Sequence, residues 1–417
     1  MIKILQVRNI DNFVDSRRQK TSDKDRKIVQ AILDDVRKNG DAAVKKYEQK
    51  FNGRKTTSLR VSEKEIKKAK ITKVQFDALR LSALRLSNTQ RSLKKRLSDS
   101  VNKLPGISFI PIPSVGCYIP GGQARYPSSA IMSAITAAEA GVKRIVVTSP
   151  PGPDGKIDPM TITVAEKCGA EIYKVGGAQA IGVLAYGTKS IPKVDKIVRP
   201  GGKFVSIAKA IVSEQTSIDM IAGPTELGIM VESTADPKLV ALDLISQAEH
   251  SNDTMCFVIT VSKIIAKQIQ KSLEKLIPDI ERSTIVKQSI SKNGFIAICK
   301  NQKEAIDLVN KIAPEHMELM VKNAKALSKK ITGPGLVLIG NNTPSSASDY
   351  LLGTNHILPT NGFGRIRGGL SVLDFLKLQT VVETKKSELS RVSDNLKTLT
   401  DAEGLPNHYK AVERRLK

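Results

Sequence analysis

The sequence predicts an α/β protein with two parallel-sheet units, and three observations carry that prediction. From residue 144 onward, short runs rich in Val and Ile alternate with amphipathic stretches, the pattern of strands joined by crossover helices. The pattern comes as two successive sets, one before and one after about residue 226. A length of 417 residues also exceeds what one ordinary core organises, so two or more domains are required.

In chain order, residues 22–51 carry Ile28, Val29, Ile32, Leu33 and Val36 at helical spacing, with Gly40 as a stop. Ser62-Glu63-Lys64-Glu65 fits a capping box opening a helical region that runs to about residue 97. Beyond Pro105 the character changes. Pro111, Pro113, Pro120, Gly121 and Gly122 crowd around Gly116-Cys117-Tyr118-Ile119, marking a domain crossing.

The first set then predicts strands at 144–148, 171–175, 196–198 and 217–221, with helices at 159–167 and 178–185. The second set predicts strands at 227–231, 256–261, 294–299 and 335–339, with helices at 237–248, 264–276 and 303–312. From residue 371 the tail is charged and helical, broken by Glu403-Gly404-Leu405-Pro406 before His408. The expected domains are an N-terminal segment at 1–21 and a first α/β domain of 22–112 with 226–370. The others are a second, nucleotide-binding α/β domain at 113–225 and a helical tail at 371–417.

Composition narrows the function classes. No apolar run reaches the roughly 18 residues that span a bilayer, and Met1-Ile2-Lys3-Ile4-Leu5-Gln6 passes at once into charge, without a secretory leader pattern. Four scattered cysteines, two of them at the ends of apolar runs, read as reduced core thiols, so a cytoplasmic protein is expected. The net charge is +25, with much of it in residues 54–96. There is no Trp in the chain and Phe76 is the only aromatic in that segment, so base stacking is poorly supported and nucleic acid is not the expected partner. A lysine-rich solvated surface is the better reading.

Four histidines bound the chemistry. Each follows a Glu or an Asn: Glu249-His250, Glu315-His316, Asn355-His356 and Asn407-His408. In Ala313-Pro314-Glu315-His316 the proline keeps the preceding residue out of helical geometry, which predicts a shaped turn carrying two proton-active groups. Gln247 and His250, three apart, share a helical face and are able to grip an ion together. Neither H-E-x-x-H nor a paired-cysteine knuckle is present. Gly176-Gly177-Ala178-Gln179-Ala180-Ile181-Gly182 follows a strand and opens a helix, the setting of a dinucleotide loop, yet its spacing is not G-x-G-x-x-G.

Longer runs bear a resemblance. Tyr173 to Ala180, Ile218-Asp219-Met220-Ile221-Ala222-Gly223-Pro224, Ser246-Gln247-Ala248-Glu249-His250 and Ala313-Pro314-Glu315-His316 are similar to histidinol dehydrogenases. So are Asn355-His356-Ile357-Leu358-Pro359-Thr360, Gly369-Leu370-Ser371-Val372 and Glu403-Gly404-Leu405-Pro406-Asn407-His408. The resemblance is colinear from about Gly116 to the C-terminus. It implies two Rossmann-like domains plus small terminal helical segments that pack in a homodimer. It also implies oxidation of L-histidinol through L-histidinal to L-histidine by NAD, the last steps of histidine biosynthesis.

By the same resemblance one Zn2+ per subunit is held by Gln247, His250, Asp349 and His408. Thr225 and Glu403 bind substrate beside those ligands, and His356 supports them. His316 is the base of both oxidations, and Glu315 activates the water that hydrates the aldehyde. Tyr118 and Gln179 contact NAD, and His408 and Glu403 come from the partner subunit. There are departures. Arg199-Pro200-Gly201-Gly202-Lys203 stands where the family usually has Gly-Pro-Gly-Asn, and Thr225 stands for its Ser. Arg199 and Lys203 raise NADP as an alternative acceptor, with a relaxed NAD loop the preferred account. The competing functions are oxidation of another small alcohol on the same machinery, and a basic binding protein that has lost its activity.

Overall fold

The strand runs of this chain are apolar on both faces, which suits parallel strands covered by helices on either side. The computed structural model describes residues 1–17, 22–53, 58–121, 125–198 and 201–417. In chain order the strands are β1 (Lys3–Gln6), β2 (Ile107–Pro111), β3 (Ser114–Tyr118), β4 (Arg144–Ser149), β5 (Glu171–Lys174), β6 (Lys196–Val198) and β7 (Ser217–Ile218). They continue as β8 (Glu226–Val231), β9 (Met255–Thr260), β10 (Phe295–Ile298), β11 (His316–Met320), β12 (Leu336–Ile339) and β13 (Leu376–Thr380).

Six of them form a sheet in the order β1-β10-β9-β8-β11-β12, and five another in the order β5-β4-β3-β6-β7. Every pairing within these two sheets is parallel. The expected α/β class holds. Both sheets reverse direction once. The chain steps from β3 through β4 to β5, then restarts at β6 on the other side of β3. It does the same from β8 through β9 to β10, restarting at β11 beside β8. Such reversals open a crevice outside the carboxyl ends of the strands, where ligands gather in doubly wound sheets.

Alternate side chains feed two cores per sheet. In the five-stranded sheet Cys117 and Val147 pack on one face, and Val146 and Tyr173 on the other. In the six-stranded sheet Leu227, Ile229 and Val231 face one core, and Met230, Phe257 and Met317 the opposite one. Burial pushes the Cys117, Cys168 and Cys299 thiols up to about 12, so these cysteines are inert and protonated, as expected.

Two departures concern the N-terminal third. Helix Asp23–Asn52, broken at Gly40 (φ 53°), was expected with the six-stranded sheet. Its Val29, Leu33, Val36 and Val44 instead join Ile181, Leu184 and Val205 of the five-stranded sheet's core, against helices Gly177–Tyr186 and Lys203–Val212. Periodicity shows which face of a helix is apolar and not which sheet receives it. The Ser62 capping box forms, with Glu65 N–H donating to Ser62 Oγ and Ser62 N–H to Glu65 Oε2. The helix it opens stops at Lys68, and Thr72 and Gln75 cap a separate helix, Lys73–Val101.

The chain forms two compact units. The larger comprises Met1–Lys95 and Pro111–Leu376 and holds both parallel sheets. The smaller comprises Arg96–Ile110 and Lys377–Lys417, so the expected tail begins at Lys377 and takes an earlier segment with it. In the smaller unit β2 and β13 pair, and helices Lys386–Ala402 and Pro406–Leu416 pack as a hairpin turned at Gly404 (φ 71°). Leu378, Val381, Val382 and Leu399 of this unit are exposed. No helix among the described residues is long and apolar enough to cross a membrane.

Candidate functional site

Helix Gln302–Ile312 ends at Ala313, which takes a left-handed φ of 50° ahead of Pro314. A non-glycine residue there is strained by roughly 1 kcal/mol, and such strain gathers at functional sites. Glu315 follows on a bend, whereas His316 is not on the expected turn but is the first residue of β11. β11 lies beside β8 with His316 opposite Leu227, so both central strands of the reversal present their amino ends together.

An acid on the neighbouring strand completes the pair. Glu226 N–H donates to Glu315 Oε2 at 2.9 Å, and Glu315 N–H donates to Glu226 Oε2 at 3.2 Å. Asn361 N–H reaches Glu226 Oε1 at 2.9 Å. Burial, followed by the Glu315 charge, pushes the Glu226 carboxyl up to about 8 despite those amides. Glu226 was not foreseen. Its signal was an acid heading the apolar strand Leu227-Gly228-Ile229-Met230-Val231, where an unneeded charge is costly.

His316 is 2% exposed. Its Nδ1 lies 3.3 Å from the Glu226 carbonyl oxygen, which only accepts, so Nδ1 carries a hydrogen. Its Nε2 lies 3.2 Å from Asp349 Oδ1, and Glu315 Oε2 is 3.8 Å from Nδ1. Burial alone would discharge the imidazole. Glu315, Asp349 and the Glu226 carbonyl together outweigh it and push His316 up to about 9. Burial likewise opposes the Asp349 charge, yet His316, His356 and His250 hold that carboxyl below its usual range.

Asp349 caps the short helix Ser345–Ser348, and His356 Nδ1 donates to its carbonyl oxygen at 2.8 Å. His250 follows helix Pro237–Ala248 and donates from Nδ1 to the Gln247 carbonyl at 3.1 Å. That bond leaves the Nε2 lone pair for a ligand, the tautomer a metal-binding histidine needs. Gln247 is buried, and among the described residues no hydrogen bond holds its side-chain amide. Of the residues proposed from sequence, Glu315, His316, Asp349 and His250 thus gather around one point, with His356 beside them. Gln247 joins through His250, and Thr225 precedes Glu226 in the chain. Glu403 and His408 belong to the smaller unit, where both are exposed.

Among the described residues no three His, Cys, Asp or Glu side chains cluster as a self-sufficient metal site. Of those types the expected set has His250 and Asp349 in the larger unit and His408 in the smaller one. The donors themselves suit zinc: one free imidazole nitrogen, one ionised carboxylate and one buried amide oxygen.

The residues expected to contact NAD lie at the carboxyl edge of the other sheet, at its reversal. Tyr118 ends β3, and its hydroxyl accepts from Gly177 N–H at 3.2 Å, where Gly177 takes a φ of 61°. Glu48, another unforeseen acid, is fully buried and accepts from Gly176 N–H at 2.9 Å and Gln179 Nε2 at 2.8 Å. Gln179 Oε1 is buried without a donor among the described residues, an orphan acceptor of the kind a ligand hydroxyl satisfies. A Cβ on Gly201 would meet Val205 at 2.6 Å and the Tyr118 ring at 3.0 Å, whereas one on Gly202 would meet nothing within 4 Å. Lys203 pairs with Asp25, so its charge is already engaged. Arg199 and Pro200, like Gly122, lie outside the described residues.

Residues 15–416 match the family model described as histidinol dehydrogenase. A histidinol dehydrogenase of Oceanobacillus iheyensis is 41% identical over 405 residues, covering 95% of this chain and 94% of the relative. One of Methanococcus maripaludis is 41% identical over 396 residues, covering 93% and 92%. The crystal structure of histidinol dehydrogenase from Elizabethkingia anophelis matches with a TM-score of 0.91 at 32% identity, covering 100% of this chain and 98% of that one.

Proposed function

The chain belongs to the histidinol dehydrogenase family, and from that membership we propose that it oxidises L-histidinol through L-histidinal to L-histidine with two NAD. Membership makes it an oxidoreductase of histidine biosynthesis. The observation that carries the finer reading is the buried His316 set between the carboxylates of Glu315 and Asp349.

His316 takes the hydroxyl proton as hydride leaves the carbinol carbon for NAD. An aldehyde has no O–H to surrender, so water must add before a second hydride can go. Glu315 takes a proton from that water as its oxygen joins the carbonyl carbon, His316 returns its proton to the carbonyl oxygen, and the neutral imidazole then accepts the hydrate's proton. Glu226 keeps Glu315 in register through two reciprocal backbone-to-carboxylate bonds, and its carbonyl oxygen accepts from His316 Nδ1. Gln247, His250, Asp349 and His408 of the partner subunit would hold zinc, which supplies a template for the amino and imidazole nitrogens of histidinol. Thr225 and Glu403 of the partner subunit bind the substrate, and Tyr118 and Gln179 bind NAD.

The dimer is supported by the exposed Leu378, Val381, Val382 and Leu399 of the smaller unit, apolar surface that a unit with few buried residues leaves uncovered. One assay tests the whole reading: nucleotide reduction by purified protein with L-histidinol and zinc, before and after chelation. Two nucleotides reduced per histidinol, lost on chelation and restored by zinc, is the expected result. No reduction at any pH refutes it.

The cofactor loop makes its own prediction. Gly202 has an ordinary extended backbone (φ −60°, ψ 171°), open space around it, and the N-cap position of helix Lys203–Val212. Asn suits such a cap and restores the family's residue. Gly202→Asn is expected to tighten NAD by about fivefold, one hydrogen bond of roughly 1 kcal/mol. Calorimetric titration of both proteins decides, and an unchanged Kd refutes it.

A further inference from the structure

Behind the candidate metal and base residues lies a second set of polar groups, one structural period back along the same elements. Glu318 is two residues beyond His316 on β11 and so points to the same side of the strand. Ser345 is one turn before Asp349, whose N–H donates to the Ser345 carbonyl at 3.0 Å. Asp243 is one turn before Gln247 on helix Pro237–Ala248.

These three meet. Ser345 N–H donates to Glu318 Oε1 at 2.6 Å, and the Asp243 carboxyl lies near enough to Glu318 for each to act on the other. Glu318 is 1% exposed, and its Oε2 finds no N–H or O–H donor among the described residues. A buried carboxyl with a second carboxyl beside it and no cation among its neighbours is favoured in the protonated form. Burial, then the neighbouring Asp243 charge, pushes Glu318 up to about 8, and burial pushes Asp243 up to about 6. The other titratable group acting with Glu318 is the Cys256 thiol of β9, which burial keeps protonated. No Lys or Arg is among the groups that set either carboxyl.

We infer that Glu318 and Asp243 are positioning residues, a carboxyl clamp that ties together the three elements presenting His316, Asp349 and Gln247–His250. The inference rests on the proposed zinc and base assignment. Its purpose follows from geometry: the zinc donors sit on a helix and on a four-residue helical turn that share no backbone hydrogen-bond ladder with β11. Glu318 and its two partners supply the missing link between them.

The clamp has a signature that simple packing lacks. From the ordinary carboxyl range of about 4.5 up to about 8, the folded chain holds a proton that the unfolded chain releases. Stability therefore falls as pH rises through that window. Glu318→Gln removes the titration while its amide oxygen still accepts from Ser345 and its NH2 is able to donate to Asp243. Glu318→Leu keeps the volume and removes both interactions.

The experiment uses the full-length zinc-loaded protein and its E318Q and E318L variants. It measures zinc affinity by chelator competition, kcat against KM for the nucleotide, and apparent Tm from pH 5 to 8. Expected for E318Q are parental zinc affinity and kcat with a flatter fall of Tm with pH. Expected for E318L is zinc weakened about tenfold or more, lower kcat and an unchanged nucleotide KM. Equal zinc affinity in E318L and parent, or a Tm–pH curve of E318Q parallel to the parent's, overturns the inference. If E318L does not fold, the E318Q curve still decides. A parent that binds no zinc overturns the reading of the site instead, and the Tm comparison continues to judge the clamp.

Discussion

Replacing His316 by Gln is expected to lower kcat for both oxidations by about 10²- to 10⁴-fold, the range for losing a positioned general base. The substitution is structurally mild. Gln is uncharged, near the same volume, and its amide can donate to Asp349 Oδ1 or to the Glu226 carbonyl that His316 contacts now. What it lacks is a lone pair basic enough to take a proton from a carbinol. Because one imidazole serves both hydride transfers, histidinol and histidinal oxidation should fall together, with zinc affinity little changed. Starting separate assays from each substrate measures the two. A variant that still oxidises histidinal at the parental rate excludes His316 as the shared base.

Glu315→Gln should divide the reaction instead. The first hydride transfer needs no water, so histidinol oxidation continues, whereas the aldehyde step slows by at least about tenfold as the water loses its base. Histidinal then accumulates and can be captured by an added semicarbazide. The amide oxygen of Gln still accepts from Glu226 N–H, so the reciprocal link survives in part. The pH dependence has a definite sign. Glu315 is one of the groups that raise His316 to about 9, so removing its charge lowers that value. Neutral base becomes available at lower pH, and the acid limb of the first step moves down. Equal slowing of both steps would show that Glu315 and His316 are not divided in this way.

Most strands were legible because they are short, apolar and rich in β-branched residues, a pattern that suits buried parallel pairing, whereas β1, β3 and β11 were not foreseen, the last two carrying almost no β-branched residues. The candidate site was legible unevenly. His250 and Asp349 lie 99 positions apart in sequence, and only the family resemblance joined them. Glu48 stands in the polar run Lys45-Lys46-Tyr47-Glu48-Gln49-Lys50 and read as surface, while Glu226 and Glu318 passed unnoticed for one shared reason. An acid inside an apolar run looks like a surface residue until the strand or helix that covers it is known. Helix Asp23–Asn52 was misplaced on similar grounds, since an apolar stripe does not name its receptor. The left-handed Ala313 was unforeseen too, although the proline after it announced an interruption.

The amino ends of β8 and β11 have a final consequence for what this protein can accept. The groups that set the charge of Glu226, His316 and Asp349 are one another, Glu315, His250 and His356, with no Lys or Arg among them. In a chain carrying 66 Lys and Arg, that exclusion is selective. Peptide N–H groups at strand starts anchor the carboxylates here, and a peptide dipole neither dissociates nor swings away as a lysine can. The His316 imidazolium and the proton kept by Glu226 relieve part of that anionic charge, and the remainder favours arriving cations or protons. Cargo and acid compete for one vacancy of charge, and whichever fills it also steadies the fold that holds it.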